Sequence, residues 1–314
     1  MKLSVFQHSR SILASLITAG TMAVTSGSLH AGDADDKLAK SVIEPEPESR
    51  IHALLQVEVG DHYITPRGLN VVDSGLNIQP LVIVFFTLYS NPNGFLNEVT
   101  LAPGVWNDWG THQTGARKGQ WNETDPFVGL TFKFAKAFQF DANYTAFRSQ
   151  TDSYPTSTNL DLKLTYHDSF MGQFSLNPYV EFFDELSNKA TVTFDTHTSR
   201  ESYYFSLGLD PTYKFKNFPL TVELPSYVNI VAKDFYQQAD GTPGGSGAAI
   251  ISTGIKLSTP LSFIPKSYGS WTAYAGFEYY HLNNDGVLDG NVATTKPERD
   301  RNLERFYGGI SVFF

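Results

Sequence analysis

The chain has 314 residues, no cysteine, 14% aromatic residues, only 18% charged ones and a formal net charge of −9. So many aromatics exclude a disordered chain. The missing thiols exclude a disulfide scaffold, a thiolate metal site and a lipid anchor on cysteine. The acidic balance argues against a nucleic-acid partner, whose phosphates call for Lys and Arg.

Lys2 and Arg10 give a basic start, residues 11–24 are mostly apolar, and Ala31-Gly32 is a small-residue junction. This layout predicts a secretory signal peptide over 1–31. Residues 32–50 are acidic, contain Pro45 and Pro47, and hold no aromatic. They predict a disordered acidic N-terminal segment ahead of a single domain over 51–314. No later apolar run approaches the ~20 residues of a spanning helix.

From about residue 53 the pattern changes to period two, which places one face of each segment in one environment and the other face in another. Twelve segments are expected, at 54–63, 78–89, 96–106, 128–134, 138–145, 160–166, 174–182, 203–210, 220–231, 249–258, 271–280 and 305–314. In one of the clearest, Leu160, Leu162, Leu164 and Tyr166 alternate with Asp161, Lys163 and Thr165. Short links such as Ser90 to Gly94 and Ala135 to Ala137 take turns with long polar stretches at 66–77, 107–125, 149–158, 185–200, 232–248 and 282–304. That rhythm predicts an all-β fold, a twelve-stranded antiparallel up-and-down transmembrane β-barrel with long outer loops and short periplasmic turns. Closure is required because a backbone N–H or C=O in lipid has no water to bond, so strands span only as a complete ring. A soluble β-sandwich also alternates. It fits less well, because one face here is aromatic and aliphatic throughout while the other is charged and small. Aromatics near the segment ends, among them Trp106, Tyr203, Phe218 and Phe306, fit interfacial girdles.

The last segment puts Phe306, Gly308, Ile310, Val312 and Phe314 on one face. A strand ending on Phe with apolar residues two and four before it resembles the assembly signal of bacterial outer-membrane barrels. The resemblance implies the barrel-assembly machinery and outer-membrane lipid as partners, in a Gram-negative (diderm) bacterium.

In this register Glu58, Glu98, Asp141, Asp161, Glu181, Asp210, Glu223 and Glu278 face the lumen, together with Lys133, Lys163, Lys214 and Lys256. Tyr179, Phe183, Tyr204, Tyr274 and Tyr280 point the same way. The excess of carboxylates predicts a negative interior, which in a wet pore favours cations. Cross-strand ion pairs that merely fill a barrel of modest width are the competing reading.

Chemistry-bearing patterns are sparse. Asp195 and His197 offer two metal ligands without a third, and His112 stands alone in a loop stretch. His62-Tyr63 and His167-Asp168 sit near segment ends. No G-x-S-x-G nucleophile motif occurs. Gly241 to Gly247 lacks the Lys of a phosphate loop, and Asn283-Asn284-Asp285-Gly286 lacks the closing Glu of a calcium loop. No catalysis, metal or cofactor is expected. An outer-membrane hydrolase and a non-conducting structural or surface-interaction barrel are the alternatives to a channel.

Tyr63-Ile64-Thr65-Pro66-Arg67-Gly68-Leu69, followed by Gln79-Pro80, resembles the opening of the TorF-type porins, with an aromatic, then Arg-Gly, then a Gln-Pro-like segment on the second strand. Pro66 and Asn70 depart from that pattern. The resemblance implies an outer-membrane barrel with a channel role and marks Tyr63, Arg67, Gly68 and Gln79 as motif residues. Arg67 is expected to pair with a lumen carboxylate. The function expected is a porin-like channel for passive passage of small solutes, mildly cation-preferring.

Overall fold

A computed structural model describes residues 50–111, 121–152, 154–168, 172–189, 201–295 and 299–314. The expected leader, the acidic segment up to residue 49, His112, Asp195 and His197 lie outside the described residues.

The strands are β1 (Ile51–Gly60), β2 (Tyr63–Ile64), β3 (Asn70–Val72), β4 (Asn77–Ser90), β5 (Leu96–Gly110), β6 (Trp121–Phe134), β7 (Phe138–Ser149), β8 (Ser157–Tyr166), β9 (Phe174–Ser175) and β10 (Pro178–Ser187). They continue with β11 (Tyr203–Leu209), β12 (Thr212–Lys214), β13 (Thr221–Glu223), β14 (Ser226–Val231), β15 (Gly247–Pro260), β16 (Ser270–Leu282) and β17 (Asn302–Phe313). One helix, α1 (Asp285–Thr294), precedes β17. Strands β9 with β10, β11 with β12, and β13 with β14 each form one broken stave. With these merged, and β2 and β3 set apart as a separate hairpin, the barrel has twelve antiparallel staves and is closed. Strand β1 pairs with β4 on one side and β17 on the other.

The breaks have local causes. Proline has no N–H to give a ladder, and two staves break at Pro211 and Pro225. Leu224 N–H still donates to Pro211 O, so the two broken staves stay joined. At Leu176 and Asn177 the Asp168 carboxylate takes both backbone N–H groups, at 2.8 and 2.6 Å. Asn177 turns there through a positive φ of 46°.

Side-chain period two then sorts the two surfaces. Leu55, Val57, Val82, Val128, Leu207 and Ile255 point outward and are exposed. Gln56, Asp141, Asn143, Asp161, Ser206 and Ser252 point inward and are buried. The terminal strand follows the same phase, with Phe306, Ile310 and Phe314 exposed on the outside; Val312, on that face too, is covered. The sorting is not uniform. Strand β4 is apolar on both faces, and Leu81, Ile83 and Phe85 pack with Leu54 inside the barrel near the end where β1 starts and β17 stops. Burying each such side chain stabilises by about 1.5–3 kcal/mol. Trp106, expected in a girdle, also turns inward and packs against Tyr63, with ring centres 5.4 Å apart and planes tilted by 53°.

Inward glycines make room for rings. A Cβ on Gly208 would stand 2.2 Å from Tyr179 Cζ, and one on Gly276 would stand 2.4 Å from Tyr307 Cζ. Each tyrosine therefore lies flat across the neighbouring stave, filling space that a larger side chain would occupy.

Three polar stretches expected to be outer loops differ. Residues 63–72, from the β2–β3 hairpin, are all buried inside the loop end of the barrel. Apolar Ile64, Leu69, Val71 and Val72 drive this, and a period-two search over so short a segment does not register them. Residues 107–110 and 121–125 continue β5 and β6, because their carboxylates, Asp108, Glu123 and Asp125, point into the barrel and are fully buried. The stretch 282–304 contains α1, capped by Asn284, whose side chain accepts from Gly286 N–H at 2.9 Å. The Asn283–Gly286 turn thus caps a helix.

Candidate functional site

Among the described residues, polar, charged and aromatic side chains converge in the barrel interior, which has three layers. The first is a tie across the closing seam. Arg305 on β17 is 1% exposed, and its guanidinium bonds Glu58 on β1, Gln79 on β4 (3.2 Å) and Glu278 on β16 (3.4 Å). Its Nε also donates to His62 O at 3.1 Å. Tyr274 donates to Glu58 at 3.1 Å and Tyr280 to Glu278 at 2.7 Å. One cation therefore joins four staves, including the pair formed by the first and the last.

The second layer is a set of partnerships among inner-face side chains within one stave or up to two staves apart. Lys256 meets Glu223 at 3.2 Å, with both side chains nearly fully buried, and lies 5.2 Å from the Tyr274 ring. Lys163 lies 3.3 Å over the Tyr179 ring and 3.9 Å from Asp210. Lys133 meets Glu98 at 2.8 Å in a more open position. Asp141 accepts from Thr131 at 2.7 Å and from Gln139. Asp161 and Glu181 are buried on the inner face, and Lys214 is half-buried. The residues singled out from the alternation thus share the interior, many in partnerships that lower the exposed charge.

The third layer is the hairpin at the loop end. Its tip is held through its backbone. Tyr227 and Asn229 donate to Pro66 O at 3.1 and 2.9 Å, Tyr236 donates to Arg67 O at 2.6 Å, and Asn291 of α1 donates to Gly68 O at 3.0 Å. Asn291 also accepts from Asn70 N–H at 2.8 Å. Gly68 has φ +76°, and a Cβ there would stand 2.6 Å from both Ile250 and Leu282. Burial pushes the Tyr236 hydroxyl well above its usual range, so it remains a donor. Tyr63 behaves alike: burial first, then the charge of Glu123, raises its hydroxyl, which donates to Glu123 at 3.3 Å.

Arg67 departs from expectation. It makes no ion pair among the described residues. Its guanidinium carbon sits 4.8 Å from the Phe147 ring centre and 5.1 Å from that of Phe183. Gln79, the other end of the motif, bonds Arg305 instead.

Alternation did not single out Arg305, Asp108, Glu123 and Asp125 as lumen groups. Arg305 was read within the assembly strand, and the three carboxylates within a loop. Their signal was the same parity that placed Glu58 and Asp141, continued past the last apolar residue. Lys189 stands in the 185–200 stretch that reads as loop. It is buried against Glu185 at 3.5 Å, and burial lowers its ammonium below the usual range. The other chemistry candidates have structural partners. His62 contacts Asp61 at 3.1 Å, and His167 contacts Asn177 at 3.3 Å. Within the glycine-rich stretch, Gly244 O and Gly245 O both accept from Asn284.

No protein-family model and no curated protein matches this chain. Solved structures are similar in architecture. The NanC porin is 12% identical over 82% of this chain and 98% of that one, with a TM-score of 0.43. An outer-membrane channel from Pseudomonas putida F1 is 11% identical over 88% of this chain and all (100%) of that one, at 0.45. The outer-membrane phospholipase A from Escherichia coli is 12% identical over 83% of this chain and 92% of that one, at 0.39.

Proposed function

We propose that this chain is an outer-membrane barrel of a diderm bacterium, a porin-like channel for passive passage of small solutes with a mild preference for cations. The observation that carries the reading is the sorting of the closed barrel: large apolar side chains ring its outside, while charged and hydroxyl-bearing groups fill its inside. Such a surface is stable only against acyl chains, and such an interior only against water or its own polar groups. On this reading the leader at 1–31 exports the chain. Phe306, Ile310, Val312 and Phe314 present the assembly signal, and outer-membrane lipid covers the outward face. The resemblance of residues 63–80 to TorF-type porins points the same way. The cation preference rests on carboxylates outnumbering cationic groups among the described inward residues. Glu58, Glu98, Asp141, Asp161, Glu181, Asp210, Glu223 and Glu278, with Lys133, Lys163, Lys214 and Lys256, are its proposed lining. No catalytic step is assigned.

A second reading, a non-conducting barrel, draws on the buried hairpin, which occupies the loop end. Planar-bilayer recording separates the two. The channel reading expects stable steps whose reversal potential in a KCl gradient indicates cation selectivity, reduced by Asp141→Asn. Folded protein that shifts on gels when boiled, yet passes neither current nor solute, would establish the second reading.

A further inference from the structure

Arg67 is 1% exposed, yet neither its Nε nor its Nη1 has a hydrogen-bond partner. Arg305, Lys133, Lys163 and Lys256 each have a carboxylate within 4 Å; Arg67 has none among the described residues. Its guanidinium carbon lies instead 4.8 Å from the Phe147 ring centre and 5.1 Å from that of Phe183, two nearly parallel rings (12°) whose own centres are 6.4 Å apart and which form one aromatic wall beside it. The wall takes up none of the N–H donors, so those on Nε and Nη1 are still to be used. Those donors match the planar lone pairs of a carboxylate. A second unsatisfied donor belongs to a ring on the same aromatic wall. Tyr204 is 0% exposed, stacks on Phe183 at 4.9 Å, and its hydroxyl has no partner. Buried polar groups are almost always paired, so two open ones sharing one aromatic wall call for an explanation.

We propose that Arg67 and Tyr204 form a binding station for the carboxylate of a small monovalent solute, seated between the hairpin tip and the Phe147–Phe183 wall. Arg67 supplies charge-assisted N–H donors and Tyr204 an O–H donor. The tip is fastened through Pro66 O, Arg67 O and Gly68 O, so the Arg67 side chain carries none of the anchoring bonds. The Arg67 side chain can thus reorient toward a ligand while the hairpin stays anchored. The inward carboxylates restrict the ligand to low charge. Asp161, opposite Phe183 in the β8–β10 register, and Glu181 on β10 disfavour a multivalent anion. The station rests on the channel reading only for access from solution, not for its chemistry.

The test uses the full chain folded in detergent and, separately, in liposomes. The first probe is sodium acetate, followed by arginine Nε–H resonances in ¹⁵N spectra. One Arg Nε–H signal is expected to shift saturably with acetate and not with sodium chloride at equal ionic strength. That signal disappears in Arg67→Gln, while Tyr204→Phe weakens acetate binding by about tenfold, the worth of one charge-assisted bond. Heat-shifted mobility on gels verifies that both variants are folded. Absence of any saturable acetate-specific shift in folded wild type overturns the proposal, as does an unchanged acetate response in Arg67→Gln. The second probe compares uptake of lactate and glycerol in liposomes. Arg67→Gln is expected to remove the saturable component of lactate uptake and leave glycerol uptake unchanged. If neither solute enters while the acetate shift persists, the channel reading fails and the station stands. If both enter without an acetate shift, the reverse holds.

Discussion

The barrel buries two arginines to the same degree and treats them in opposite ways. Arg305 is surrounded by acceptors from β1, β4 and β16, and its charge is balanced by Glu58 and Glu278. Arg67 lies against two phenyl rings with donors left open. Taking an ion out of water costs several kcal/mol, and only good geometry with opposite charge offsets it. The first arginine therefore belongs to the fold. The second is retained at some cost to stability, which is where a ligand role is to be sought.

The largest test of that contrast is Arg305→Leu. It leaves Glu58 and Glu278 buried without their cation, and unfolding by urea in lipid vesicles should show a loss of about 3–5 kcal/mol. Arg67→Met sharpens the contrast from the other side. It forfeits cation–π contacts worth about 0.5–2 kcal/mol but removes open charged donors that cost about 1–3 kcal/mol. Stability within about 1 kcal/mol of wild type, or slightly above it, is expected. A loss comparable to that of Arg305→Leu would erase the distinction. The smallest effect belongs to Lys133 and Glu98, whose pair is partly open to water. A double-mutant cycle with Lys133→Ala and Glu98→Ala should yield a coupling of about 0.2–1 kcal/mol, reduced by salt.

The fold was legible because a membrane-type barrel repeats one rule along every stave. Leu160 to Tyr166 and Trp271 to Tyr280 declare it without ambiguity, and their parity assigns the inner face. The rule fails where a residue's environment depends on distant chain. Strand β4 has Leu81, Ile83 and Phe85 inside because Leu54 and other apolar groups meet them there, which no local pattern encodes. Asp108 and Glu123 read as loop because polar residues on both faces end a hydrophobic alternation, although the ladder continues beneath them. The hairpin tip was noticed through its motif, yet its insertion into the barrel rests on Tyr227, Tyr236 and Asn291, residues about 160 to 220 positions downstream. Charge alone leads to the expectation of a carboxylate beside Arg67; the stacking wall of Phe147 and Phe183 comes from β7 and β10, the staves on either side of β8, and no local pattern places the hairpin tip against it.

The fastening of the hairpin by main-chain oxygens has an evolutionary corollary. Mutation at position 67 can exchange the side chain on offer without unpicking the anchors beside it, whereas the neighbouring glycine is pinned by Ile250 and Leu282. A lineage carrying this barrel is therefore able to retune what the interior recognises one codon at a time, leaving the architecture around that codon intact.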